Sequence, residues 1–253
     1  MATVISLANQ KGGSAKTTTA IHLGAALSSL GQRVLLVDMD PQGHLAEGFG
    51  LPTADLTNDI SNVLDGKSKL ADIILQVRPN LDLAPSTIRL SYLEAHLFTK
   101  YQRENRLKNA LKPIVKRYDS ILIDCPPSLG ILTVNALSAA DYVLIPMACE
   151  FFAMLGVSLL LQTIEEMRAE INPDLQILGI LPTRSTRTTH CQEVLERLSS
   201  ELGGTIHIYS TVIPESTKFR EATVLGKTMF EHVPESKGAE AYFQVAKEVS
   251  RNA

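Results

Sequence analysis

Apolar positions along this chain follow two periods. Short β-branched runs recur at 3–8, 34–37, 81–83, 120–123, 142–146, 177–181 and 206–212. Between them lie stretches at 17–30, 89–117, 131–139, 154–171, 191–202 and 237–250, where apolar residues return every three or four positions. Runs of the first kind read as buried strands, and stretches of the second as amphipathic helices. Their alternation predicts an α/β fold: a mostly parallel twisted sheet flanked by helices on both faces, with right-handed connections. The stretch 51–88 is the least regular. It is rich in Asp, Asn, Ser and Thr and is expected to form short helices and loops. The segment 89–117 carries alternating charges on one face, as a solvated helix does, and Pro113 is expected to break or kink it near its end. No repeat, linker or low-complexity tract interrupts the pattern, so residues 1–253 are expected to form a single domain.

Composition bounds the function. With 253 residues, 45% of them hydrophobic and 20% charged, the chain can bury a substantial core. The 24 basic and 27 acidic residues give a net charge of −3, so any affinity for nucleic acid must come from a local patch. Cys125, Cys149 and Cys191 form no Cys-x-x-Cys pair and read as reduced structural thiols. The chain opens on a strand, its apolar runs stop short of a membrane span, and 241–250 reads as a packed helix end rather than a basic membrane-lying helix. A cytoplasmic protein is expected.

Three segments carry chemistry. The first strand runs into Lys11-Gly12-Gly13-Ser14-Ala15-Lys16-Thr17-Thr18 and then a helix-forming stretch. Two glycines let the backbone turn and aim N–H groups at phosphate oxygens, and the helix start adds its positive dipole end. Lys16 is placed to reach the β- and γ-phosphates, and the Thr17 hydroxyl to ligate Mg²⁺. In the usual Gly-x-x-x-x-Gly-Lys-Ser/Thr pattern, Gln10 and Ala15 stand at the glycine positions. Ala15 is neutral if its φ is negative and unfavourable by roughly 1 kcal/mol if the loop demands a positive φ. The second segment, 35–43, ends a buried strand in Asp38-Met39-Asp40-Pro41-Gln42-Gly43. Ligands of open α/β sheets sit at such strand ends. Asp40 is placed to orient a water on the γ-phosphate, while Asp38 either stands behind the Mg²⁺ or anchors the loop. The third, 120–127, ends a strand in Asp124, a Walker B carboxylate that would hold Mg²⁺ through water.

Together these three segments, in this order and spacing, resemble the ParA/Soj family of partition ATPases, within a wider group that includes MinD-like proteins. The resemblance continues through Val143–Pro146 with 149–153, 179–183, 212–214 and 236–242, and so covers essentially the whole chain. It implies a single-domain P-loop NTPase that uses ATP and Mg²⁺ and forms a face-to-face homodimer when ATP binds. Lys11 is then the residue that crosses to the partner's phosphates, much as an arginine finger does. Lys11, Lys16 and Asp40 become the catalytic set, with Thr17, Asp40 and Asp124 around the metal. Gly12 falls at the subunit contact, and Pro214 and Glu215 fall on the adenine-side loop. The resemblance also implies ATP-dependent binding to double-stranded DNA without sequence preference, for which this chain offers Arg184, Arg187, Arg197, Lys218, Arg220 and Lys227. A ParB-like or other cargo-adaptor activator and a nucleoid-associated location follow from the same resemblance. The chain departs from the family at Leu155-Gly156, at 183–188 and at Pro214-Glu215-Ser216. The competing classes are a MinD-like membrane-associated ATPase, an iron–sulfur electron-transfer ATPase built on Cys125 and Cys149, and a metabolic ligase.

Overall fold

The computed structural model describes residues 2–150, 153–186 and 188–252. Seven strands form one sheet: β1 (Thr3–Leu7), β2 (Val34–Asp38), β3 (Leu75–Arg78), β4 (Leu81–Ala84), β5 (Ser120–Asp124), β6 (Tyr142–Ala148) and β7 (Gln176–Thr183). Their spatial order is β3-β4-β2-β5-β1-β6-β7. β3 runs antiparallel to β4, and the other neighbouring pairs are parallel. The helices are α1 (Lys16–Ser29), α2 (His44–Gly48), α3 (Ile60–Leu64), α4 (Arg89–Leu97), α5 (Arg106–Leu111), α6 (Ile131–Ala139), α7 (Ala153–Glu170), α8 (Thr189–Leu202), α9 (Thr217–Val224), α10 (Met229–His232) and α11 (Lys237–Asn252).

The period-two alternation of the central strands divides the core in two. Val4, Ile121, Ile123, Val143 and Ile145 face one side, where Leu93 of α4, Leu107 of α5, Leu132 of α6 and Leu160 of α7 pack on them. Ile5, Leu7, Leu122 and Leu144 face the other, against Leu23 and Leu27 of α1 and Tyr242 and Val245 of α11. Burying each such side chain contributes roughly 1.5–3 kcal/mol. The apolar face of α11 is spent in this core. Among the described residues, no helix is long and apolar enough to cross a membrane.

Three local predictions are corrected. The irregular stretch 51–88 contains β3, a four-residue edge strand joined to β4 through Pro79-Asn80, with Asn80 at φ 57°. Its Leu-Gln-Val-Arg alternation is too short to stand out. The 89–117 helix is broken well before Pro113, where Gln102 turns left-handed at φ 51°. Buried Asn135 of α6 satisfies the break: its amide donates to the Arg103 carbonyl at 2.7 Å, and its oxygen accepts from the Leu107 N–H at 3.2 Å. The predicted strand 206–212 makes only an isolated bridge, Ile208 to Ile180. Pro182 has no N–H to continue the ladder, so the chain bows out and rejoins where the Ile213 N–H donates to the Pro182 carbonyl.

The end of α2 crosses the end of α9 at two glycines. A Cβ on Gly226, which has φ 61°, would lie 2.7 Å from the Gly50 Cα. Arg78 fixes the same crossing by donating to the Gly226 carbonyl at 2.7 Å while its guanidinium stacks over Phe49. Gly226→Ala is therefore expected to lower unfolding stability by on the order of 2–4 kcal/mol, from backbone overlap plus left-handed strain. Gly66→Ala, where φ is 82° but space is open, should cost only about 1 kcal/mol. Urea denaturation of both variants checks the contrast; equal midpoints would show that the crossing relaxes freely.

Candidate nucleotide site

The carboxyl ends of the parallel strands meet around the 8–15 loop. Buried Asn9 fastens the loop to β6: its amide donates to the Pro146 carbonyl at 2.7 Å, and its oxygen accepts from the Lys11 N–H at 3.0 Å. The Thr183 hydroxyl at the end of β7 donates to the Ser14 carbonyl at 3.1 Å. Gly13 lies at φ 75° and Ala15 at φ 67°, ψ 30°. The loop does demand a left-handed residue at position 15, and a side chain there costs roughly 1–2 kcal/mol. The turn drives Lys16 inward, to 7% exposure. Burial lowers its pKa, opposed by the charges of Asp124, Cys125 and Asp40.

β2 and β5 are in register, so Asp38 and Asp124 sit side by side, both buried. Asp38 accepts from the Asp40 N–H at 3.0 Å and the Leu45 N–H at 3.2 Å, which matches the loop-anchoring alternative. One oxygen of Asp124 accepts from the Thr17 hydroxyl at 2.6 Å; the other is buried and has no partner. Burial, chiefly, raises the Asp124 pKa to about 7 and pushes that of Asp38 well above the carboxylate range. An orphaned carboxylate oxygen beside a hydroxyl and a buried lysine is a donor set suited to a hard divalent cation such as Mg²⁺. Asp40 is half-buried and accepts from the Gln42 N–H at 3.0 Å.

Two cavities flank the loop and share Gly13, Ala15 and Thr18. One, of about 520 Å³, is bordered by Gly12, Ser14, Lys16, Thr17, Asp40, Glu94 and Ser128. The other, of about 390 Å³, is bordered by Arg184, Pro214, Glu215, Phe219, Arg220 and Tyr242. The first has the polar lining of a phosphate site, and the second has aromatic walls suited to a base. Sequence reasoning gave no role to Asn9, Glu94, Glu150, Phe219 or Tyr242. Glu150 stood in a quoted motif, but its partner, Lys11, was distant in sequence.

Lys11 is ion-paired with Glu150. Arg184 is drawn to the loop: it pairs with Glu215 at 2.8 Å, donates to the Gly13 carbonyl at 3.2 Å and lies 3.4 Å from Glu150. The basic residues offered for DNA are therefore not one cluster with Arg184. Arg197 on α8 pairs with Glu201, and Lys218 on α9 pairs with Glu221. Arg220 and Lys227 are exposed, on α9 and just past it. Arg187 lies outside the described residues. A Cβ on Gly12 would meet nothing within 4 Å, so nothing in its own chain requires glycine there.

A family model described as an AAA domain matches residues 2–177. The sporulation initiation inhibitor protein Soj of Bacillus subtilis is 43% identical over 254 residues, covering 100% of both chains. The chromosome partitioning protein ParA of Caulobacter vibrioides is 40% identical over 97% of this chain and 93% of its own. A solved structure described as cobyrinic acid a,c-diamide synthase from Mycobacterium smegmatis, with bound ATP analog and magnesium, superposes with a TM-score of 0.88. It is 38% identical, over 99% of this chain and 95% of that one.

Ala15→Gly removes the left-handed side chain. The melting temperature of the protein alone is expected to rise by about 2–4 °C, as for roughly 1 kcal/mol in a chain of this size. An unchanged or lower value in a thermal scan would show that the loop relaxes around Ala15.

Proposed function

The chain belongs to the ParA/Soj family of partition ATPases, and we propose that residues 1–253 form one ATPase domain that hydrolyses ATP to ADP and phosphate, dimerises when ATP binds, and positions DNA or another cargo. The observation that carries this reading is the pair of cavities joined at Gly13, Ala15 and Thr18, with buried Lys16 and the orphaned Asp124 oxygen in the wall between loop and sheet. The phosphates would lie against the loop N–H groups and Lys16, and the base against Pro214, Glu215 and Phe219. Thr17 and Asp124, with Asp40 nearby, would hold Mg²⁺, which when bound neutralises phosphate charge. Asp40 would orient the attacking water, and Lys11 of one subunit would complete the other subunit's site.

The freedom around Gly12 supports a contact made by a second subunit. Exposed Lys218, Arg220 and Lys227, with Arg197, supply charge for phosphate contacts on double-stranded DNA. The reading includes a cytoplasmic, nucleoid-associated location and a ParB-like or other adaptor that stimulates hydrolysis. The buried apolar face of α11 favours it over a MinD-like membrane mode. Burial pushes the Cys125 thiol up and the Cys149 thiol to about 12, which favours it over a thiolate-held cluster and over thiolate-dependent amide synthesis.

Asp40→Ala is expected to retain ATP binding and the ATP-dependent dimer while losing at least 100-fold in turnover, on the order of a missing water-positioning group. Nucleotide binding by calorimetry and phosphate release check it; lost binding would refute the role. DNA retention is expected only with ATP, with log affinity falling linearly against log salt. Salt-independent or ATP-independent retention in an anisotropy titration would overturn the DNA reading.

A further inference from the structure

Four charged side chains meet where the loop, β6 and β7 converge. Glu150 offers one oxygen to the Lys11 ammonium, and its other lies 3.4 Å from Arg184 Nη1. The same Nη1 donates to the Gly13 carbonyl at 3.2 Å, and Arg184 Nε holds Glu215 at 2.8 Å. Two cations and two carboxylates balance at the mouth of an anion-binding loop. The side chains of Lys11, Glu150 and Arg184 are 27%, 45% and 42% exposed. Pairs wetted to this extent are worth about 1 kcal/mol or less, so they exchange rather than lock. Arg184 itself sits at φ 52°, a conformation that costs a side-chain-bearing residue energy and that the fold maintains to keep the guanidinium over the loop.

The argument rests on the proposed crossing of Lys11 to a second subunit. To cross, Lys11 must leave Glu150, and its departure would strand a negative carboxylate beside the incoming phosphates. The nearest replacement cation is in place. We propose that Arg184 is a positioning residue that takes over the Glu150 carboxylate when Lys11 crosses, so that the crossing leaves no unpaired anion at the nucleotide. An arginine suits the task because its planar fork carries five N–H donors, enough to hold Gly13, Glu215 and Glu150 together; an ammonium would have to release one to take another.

A double-mutant cycle on the full chain at saturating ATP tests this. The dimer dissociation constant is read by sedimentation, and kcat and KM by phosphate release. Arg184→Gln is expected to weaken the ATP-dependent dimer roughly fivefold, the equivalent of one half-exposed ion pair, and to lower kcat. In a Glu150→Gln background the same substitution should change the dimer by less than about twofold, because no carboxylate is left to inherit. Equal losses in both backgrounds, or no loss in either, would overturn the proposal. Arg184→Lys, which keeps the charge and alters the fork, repeats the cycle if Arg184→Gln folds poorly. Lys11→Ala separates the two levels. Unchanged dimer and turnover in that variant sink the crossing itself. A clear loss there, with an Arg184 effect that persists without Glu150, rejects only the handover.

Discussion

Two acids buried side by side set the terms for the rest of this molecule. The register of β2 against β5 fixes Asp38 beside Asp124 at the sheet's carboxyl edge, where neither reaches bulk water. Two such charges cost several kcal/mol each unless answered locally. The answers are the features that make the site. Backbone N–H groups of Asp40 and Leu45 turn toward Asp38, the Thr17 hydroxyl turns toward Asp124, and Lys16 is drawn into the interior despite its own desolvation. The loop's left-handed residues follow from that last demand, since the chain must reverse direction for Lys16 to point at the acids.

The far side of α1 is built for constancy. His22 is buried within it, and burial pushes its pKa to about 3, so the ring stays neutral and accepts the Met229 N–H. The Thr19 and Tyr242 hydroxyls meet at 3.1 Å on the same face, and Phe219 and Tyr242 pack edge to face beside the ring. A helix held by neutral contacts at its back can carry a strongly charged front without the two interfering. The front is where exchange takes place, among half-wetted ions, and the rigid back gives those ions a fixed frame.

Much of this was legible in the chain. The six parallel strands announce themselves as β-branched runs, and the loop, Asp40 and Asp124 sit at strand ends where ligand chemistry belongs. What stayed hidden depends on contacts between residues far apart in sequence. Asn135 closes a helix break 30 residues away, and Glu150 meets Lys11 across 139 positions. The sign of φ at Ala15 could not be read from an alanine, which fits either hand at different cost. Arg184 read as a surface cation because an arginine with two carboxylates and a carbonyl in reach looks, in sequence, like any other.

The interrupted pairing beyond β7 bears on solubility. A parallel sheet with an open edge invites a strand from another molecule to add to it. Here the segment 206–214 lies along that edge without completing a ladder, and Pro182 and Pro214 withhold donors from any newcomer. The opposite edge is β3, four residues long and ending in an arginine turned back on the fold. A protein that must associate with its own kind through one chosen face is thus blunted at both sheet margins, where self-association would be uncontrolled.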